Sequence, residues 1–355
     1  MKISEVIKSL PASNAAIKNT AATTPQEGWY PAYSASGQDV WLPDYRFDHS
    51  GIVVSAVGAR CGKAFKADGK WNVCANTHPL FVDESKALRD YCWYMINDED
   101  WWIKGGTAQP FVKVKDSLNR EHTFPTLDEQ AKIVAKLDYI QKIIQQKLNL
   151  IKALDNLIKA RFVEMFGNDE SCLIRPLSDI AEYWNGLTYK PADVSSDGMI
   201  VLRSSNIQDS RLNLNDIVRV NCEVGDKKIV KKNDILMCSR NGSARLVGKV
   251  ALIPELKETM SFGAFMMIIR SDYYPYLMTY FQLPAFRSQI STGTTTINQI
   301  TRYMLDKVLL PVPDKAKLED FASFVSQVDK SKFAVQKLLV ASKNVLQLIK
   351  EDLNE

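Results

Sequence analysis

The chain has 355 residues, enough for two or three domains, and 46% hydrophobic with 24% charged residues excludes wholesale disorder. Its net charge of +4 is mildly basic, which permits a nucleic-acid partner without requiring one, because the placement of charge matters more than its sum. The sequence has no apolar run of about 18 residues, so no membrane span is expected.

The opening stretch lacks a continuous apolar segment and does not read as a secretory signal. Residues 1–125 are rich in Gly, Ser, Asn and Tyr and carry short β-type runs such as Gly51-Ile52-Val53-Val54-Ser55, which predicts a mixed α/β unit with many loops. Within it, Tyr91-Cys92-Trp93-Tyr94 and Trp101-Trp102 stand at helical spacing beside Leu88, Met95 and Ile103. They read as core rather than as a base-stacking platform, and Asp98-Glu99-Asp100 beside them would repel a phosphate backbone.

A different grammar follows. Leu137, Ile144, Ile151, Ile158 and Met165 recur every heptad, with Ile140, Leu148, Leu154 and Phe162 between them, and no Pro or Gly interrupts the stretch from Pro125 to Gly167. This predicts one helix with a coiled-coil seam, on the order of 60 Å long, capped by Asp128 and ended by Gly167. Residues 168–312 return to short strands and polar loops, as in Asp234-Ile235-Leu236-Met237-Cys238. From Lys315 on, Phe321, Val325, Val328, Val335, Leu339, Leu346, Ile349 and Leu353 form a second seam of similar length. Either helix overruns a small core, so each can satisfy the other. The expected domains are 1–125, 126–167, 168–312 and 313–355.

The halves also repeat. Gly62-Lys63 and Gly248-Lys249 each follow a strand and a Gly-containing loop. A Gly-Thr element comes later in both, Gly106-Thr107-Ala108-Gln109-Pro110 and Gly293-Thr294-Thr295-Thr296-Ile297-Asn298. A proline precedes each helix, and equal spacing from the Gly-Lys pairs matches Pro125 with Pro311.

Catalytic signatures fail in turn. The stretch from Gly58 to Lys63 is too short for a phosphate loop and lacks the Ser or Thr that would hold magnesium; the stretch from Gly242 to Lys249 is too long. No GxGxxG motif and no methyltransferase Asn-Pro-Pro-aromatic motif occurs. Asp234 with Glu255 and Lys257 only loosely resembles a nuclease pattern. Cys61, Cys74, Cys92, Cys172, Cys222 and Cys238 form no CxxC pair, and His49, His78 and His122 are scattered. No metal, disulfide or cofactor is therefore expected, and reduced thiols in a cytoplasm are the simplest reading.

What remains are polar loops suited to reading a polymer. Arg203, Ser204, Ser205 and Asn206 follow the run Met199-Ile200-Val201-Leu202, and Arg240, Asn241, Ser243 and Arg245 follow another. Arg pairs with guanine N7 and O6, Asn with adenine N6 and N7, and Ser or Thr with bases or phosphates. Ser34, Ser36, Arg60, Thr107 and Gln109 offer a less basic set in the first half, and Thr294, Thr295 and Asn298 extend the second. Lys63 and Lys249 are candidate phosphate contacts. Ordinary polar turns and surface lysines would have the same composition; their recurrence after equivalent strands singles out the set.

At this point the ordered set resembles the DNA-specificity subunit of Type I restriction-modification systems. The resemblance rests on Tyr30-Pro31-Ala32-Tyr33-Ser34-Ala35-Ser36-Gly37, the Gly-Thr-Ala-Gln-Pro stretch and Phe124-Pro125-Thr126-Leu127-Asp128-Glu129-Gln130 before the first helix. In the second half it rests on Leu202-Arg203-Ser204-Ser205-Asn206-Ile207, Asn241-Gly242-Ser243, Val247-Gly248-Lys249 and Ile297-Asn298. It implies an α+β fold in which two mixed α/β target-recognition domains alternate with two long helices that pair as an antiparallel coiled coil. It implies a non-catalytic reader of a bipartite double-stranded DNA target. The implied partners are two copies of a DNA adenine methyltransferase subunit and a restriction and translocation subunit, with no membrane. Two departures are expected. The first globule lacks the opening stretch matched by Pro176-Leu177-Ser178-Asp179-Ile180, and the second helix lead lacks the Glu-Gln of the first. A coiled-coil protein adaptor, a nuclease acting through Asp234, Glu255 and Lys257, and the recognition part of a related restriction enzyme are the alternatives.

Overall fold

Short β-type runs cut by Gly and Asn turns can form only short strands, and sheets built from them need helices to cover a face. The computed structural model describes residues 1–10, 21–167, 172–290 and 299–353. It divides into one unit of 1–148 with 336–355 and a second of 149–335. The first holds β1 (Ile7–Ser9), β2 (Tyr30–Ser34), β3 (Gly37–Leu42), β4 (Gly51–Ser55), β5 (Ala64–Ala67), β6 (Asn72–Val73), β7 (Thr77–Val82), α1 (Arg89–Ile96), β8 (Lys104–Gly105), β9 (Phe111–Val112), α2 (Val114–Leu118) and the first part of α3 (Leu127–Phe166). An antiparallel sheet runs β1-β7-β4-β5, and a second runs β3-β2-β6 with β2 and β6 parallel. Every residue of β4 is buried, because the first sheet is covered on both faces. Ile52 and Val54 face Tyr91, Tyr94 and Met95 of α1 and Leu137 of α3, whereas Val53 faces Trp71 and Phe47.

The second unit continues with β10 (Leu173–Pro176), β11 (Glu182–Asn185), β12 (Val194–Ser195), β13 (Met199–Leu202), β14 (Ile207–Gln208), β15 (Arg211–Leu212), β16 (Arg219–Val220), β17 (Ile235–Cys238), β18 (Val250–Leu252), β19 (Met260–Phe262), β20 (Met266–Arg270), α4 (Tyr274–Tyr280), α5 (Pro284–Ile290), α6 (Arg302–Asp306), β21 (Leu309–Val312) and the first part of α7 (Lys315–Asp352). Its main sheet begins β11-β20-β17-β18, the order and antiparallel sense of β1-β7-β4-β5. Strand alternation again divides the core. Ile235 and Met237 face the helices, while Leu236 and Cys238 face a separate cluster with Phe262 and Ile268.

Both seams are buried or half-buried along their length. In the first unit Ile133, Val134 and Leu137 of α3 share a core with Leu346, Ile349 and Leu353. In the second, Phe162 and Phe166 of α3 pack on Phe321 of α7, with ring centroids 5.6 and 5.4 Å apart. Nearer the middle of both helices, the Lys332 amine pairs with Asp155. In the second unit, then, the helices run antiparallel, as expected. Among the described residues no helix is long and apolar enough to cross a membrane.

Hydrogen bonds correct three sequence expectations. The first globule does have an opening stretch. Ile3-Ser4-Glu5-Val6 makes a tight turn in which the Val6 amide donates to the Ile3 carbonyl at 2.9 Å, as Ile180 donates to Leu177 at 3.1 Å. Ile3 and Leu177 are both buried, so the apolar spacing persists although the residue types change. Second, Val112 donates to Ala56 and Ile300 to Ser239, each at 2.9 or 2.7 Å, which aligns Pro125 with Pro313 rather than Pro311. Third, Thr126 rather than Asp128 caps α3. Its hydroxyl accepts from the Glu129 amide at 3.3 Å while the Glu129 carboxylate accepts from the Thr126 amide at 2.9 Å, a reciprocal capping box. Asp314 caps α7 through the Lys317 amide at 2.9 Å.

The same alignment explains the missing Glu-Gln. Gln130 is fully buried; its Oε1 accepts from the Leu88 amide at 2.8 Å and its Nε2 donates to the Pro125 carbonyl at 2.8 Å. The matching residue of α7 is Leu318, which packs in the apolar core of the second unit. Gln130→Leu is therefore expected to strand two backbone groups and cost about 1–3 kcal/mol, read as a lower urea midpoint at unchanged m-value.

Candidate nucleic-acid interface

Three loops lie together at one edge of the first unit, and two of their counterparts are described at the matching edge of the second; the frame dictates their place. The first leaves the strand that pairs parallel with its neighbour. The Cys74 amide donates to Tyr33, and the Gly263 amide to Leu202, both at 2.9 Å, so Ser34 and Arg203 are counterparts. The second is closed at its neck by two main-chain bonds. The Ser55 amide donates to Lys63 at 2.9 Å and Gly62 returns a bond to Ser55 at 2.8 Å. Cys238, Lys249 and Gly248 repeat this at 2.9 and 2.8 Å. Gly62 and Gly248 have φ of 97° and 76°, the left-handed region in which a side chain is strained. The third loop, before α2, is described in the first unit only.

In the first unit Ser36 is exposed, but Ser34 is buried and its hydroxyl accepts from the Ser36 amide at 3.0 Å. Ser34 therefore shapes the turn, a correction to its expected place at the interface. Gly37 lies so close to the Phe65 ring that a Cβ would stand 3.1 Å from it, and the Lys63 amine sits 5.8 Å from the same ring's centre. The Gly58 amide donates to the Pro110 carbonyl at 2.9 Å. These contacts join all three loops and leave Arg60, Thr107 and Gln109 exposed.

In the second unit Asn206 is likewise corrected. It is fully buried, its Oδ1 accepts from the Arg203 amide at 2.8 Å, and its Nδ2 donates to the carbonyls of Asn213 and Asp216 at 2.8 Å. With its amide committed, it holds the loop instead of facing a base. Arg203 is half-buried and donates through Nη2 to both Asp216 oxygens at 3.0 Å. Asn241 donates to the Ser204 hydroxyl at 3.1 Å, which ties the first loop to the second, and its Oδ1 accepts from the Ser243 amide at 2.9 Å. Ser205, Arg240, Ser243, Arg245 and Lys249 are exposed. Thr294, Thr295 and Asn298 lie outside the described residues.

The rival chemistries fare differently. Asp234 is buried and both its oxygens accept from Arg270 at 2.7 Å, while Glu255 pairs with Lys232 at 2.8 Å, so the loose nuclease pattern does not converge. Tyr91, Tyr94 and Trp102 are core, as expected. Burial pushes the Cys92 thiol up to about 12 and raises that of Cys238, which keeps both protonated and unreactive near neutral pH.

Sequence reading missed Asp216, whose partner Arg203 lies on another loop, and two residues at the loop junctions, Asn76 and Phe265. Their side chains are exposed and their carbonyls accept from the second loop: Ala56 donates to Asn76 at 2.8 Å, and Ser239 and Arg240 donate to Phe265 at 2.9 and 3.1 Å.

Residues 172–340 match the family model of the Type I restriction modification DNA specificity domain. The fold is similar to that of the S subunit of a Type I restriction-modification system from M. genitalium, with a TM-score of 0.53 at 14% identity over 99% of this chain and 95% of that one. A chain from a structure on assembly and conformational transition of the type I R-M system gives a TM-score of 0.55 at 16% identity, over 100% of this chain and 97% of that one. No curated protein matches the sequence.

Asn206→Ala is expected to cost about 2–3 kcal/mol, because it leaves buried carbonyls without donors. Hydrogen exchange should accelerate over residues 203–216 and stay unchanged in the first unit.

Proposed function

We propose that this chain, which carries a Type I restriction-modification DNA specificity domain over residues 172–340, is the specificity subunit of a Type I restriction-modification complex. It reads a bipartite duplex, one half-site with each unit. The observation that carries this reading is the duplicated loop edge, built twice on the same hydrogen-bond register but dressed with different side chains. A reader of two unlike half-sites needs this combination of constant frame and variable surface.

The exposed side chains suit the two tasks of such a reader. Arg240 presents a planar guanidinium to guanine, and Ser36, Thr107, Gln109, Ser205 and Ser243 offer donors and acceptors to base edges, while Ser204 and Asn241, bonded to each other, hold the loops in place. Arg60, Lys63, Arg245 and Lys249 neutralise phosphates, which supplies affinity and salt dependence without sequence information. Arg203, tied to Asp216, reaches DNA only by exchanging that partner. The helices act as the spacer that sets the gap between half-sites. Their outer faces expose apolar side chains, among them Tyr139, Leu157, Leu338 and Leu348, suited to two copies of a DNA adenine methyltransferase subunit. A restriction and translocation subunit completes the complex. Chemistry resides in the partners, and the chain works in the cytoplasm.

Methylated adenines mapped across a genome, with and without this chain beside its methyltransferase, should reveal a split motif that depends on the chain. An unchanged methylation pattern from a well-formed complex would refute the reading. Arg240→Ala should relax one half-site only and cost about 1–3 kcal/mol of discrimination there. Removing one heptad from both helices should shorten the gap by about 10 Å, or about three base pairs.

A further inference from the structure

Phe265 breaks the polar character of its surroundings. It follows Gly263-Ala264 in the turn between β19 and β20, and the residue is 60% exposed where the first and second loops meet. Exposure of one apolar side chain is common, but mobility usually comes with it. Phe265 is instead pinned. Its carbonyl accepts from the Ser239 and Arg240 amides at 2.9 and 3.1 Å, and the turn is closed by the Met266 amide donating to Gly263 at 2.8 Å. The Arg240 guanidinium lies 5.4 Å from the ring centre, so the ring also supports the cation that leads the loop.

The internal repeat supplies a second observation. In the first unit the place of Phe265 is taken by Asn76. The Ala56 amide donates to the Asn76 carbonyl as Ser239 donates to Phe265, and Cys74 and Gly263 make matching bonds to Tyr33 and Leu202. Asn76 is exposed and stands at φ 65°, a conformation that asparagine tolerates better than most residues. One frame position thus projects a side chain from both loop edges, an amide in one and an aromatic ring in the other.

We propose that this position determines specificity in both units. Resting on the DNA-reading function above, Phe265 makes apolar contact with the 5-methyl group of a thymine, and Asn76 pairs with an adenine in the other half-site. The rigid carbonyl anchors fix where each side chain meets the groove, and Arg240, braced on the Phe265 ring, addresses the neighbouring base pair. Apolar contact to the thymine methyl and bidentate pairing of Asn with adenine are the chemistries these two side chains can offer a major groove.

The test uses the complex with its methyltransferase partner and duplexes in which each thymine of the mapped target is replaced in turn by uracil, which removes only the methyl group. Wild-type complex should lose about fourfold in affinity at one thymine of a single half-site, the worth of one buried methyl. Phe265→Ala should abolish that loss, and Asn76→Ala should relax an adenine in the other half-site. Phe265 is exposed, so Phe265→Ala should melt like the wild type; Asn76→Ala, at a positive φ that alanine tolerates less well, should melt slightly lower yet stay folded. No uracil-sensitive position, or one equally sensitive in Phe265→Ala, overturns the assignment of Phe265; an unaltered adenine preference overturns that of Asn76. A wild-type complex without any chain-dependent motif refutes the DNA-reading function itself, a separate outcome.

Discussion

The loop edge depends on a pair of main-chain hydrogen bonds at the neck of each second loop. Ser55 with Gly62 and Lys63, and Cys238 with Gly248 and Lys249, close these loops so that the chain leaves a buried strand and re-enters the next one in register. A buried amide without a partner costs enough that this closure tolerates little variation. Glycine is required where the returning backbone takes a positive φ, and at Gly62 a Cβ would also stand 2.7 Å from the Trp102 ring. Once the neck is closed, the residues between are free to differ. The first unit places the stretch from Ala56 to Cys61 there and the second places a longer, more basic stretch from Ser239 to Val247.

The two edges consequently differ in charge on one scaffold. The second exposes Arg240, Arg245 and Lys249, whereas the first exposes Arg60 and half-exposes Lys63, with Thr107 and Gln109 beside them. An acidic partner moderates the second edge, where Asp216 holds Arg203. Such half-exposed pairs add little stability. Their consequence is to orient guanidinium groups before a ligand arrives, which lowers the ordering cost of binding.

The expectations that held are those with a periodic or combinatorial signal. The seams from Leu137 to Met165 and from Phe321 to Leu353 could be read because a helix of this length repeats its burial many times, so single deviations do not hide the pattern. The Gly-Lys pairs were legible because a left-handed turn leaves few residue choices. The opening turn at Ile3 was missed because only one apolar spacing marks it. The cap of α3 was misplaced by two residues, since Thr126 and Asp128 are both good capping residues and only the Glu129 hydrogen bonds decide between them. Asn206 and Ser34 read as surface groups because composition cannot tell a polar side chain that faces solvent from one that holds a loop.

Sequence alone determined the order of globules and helices, the internal repeat and the chemistry available to the loops. These follow from local steric and hydrophobic rules that act between near neighbours. Tertiary structure decided which polar residues remain free. Asn241 meets Ser204, Asp216 claims Arg203, and Phe265 and Asn76 occupy one shared position. Each of these depends on strands distant in sequence pairing in a single register, and a register is a property of the folded sheet rather than of any segment.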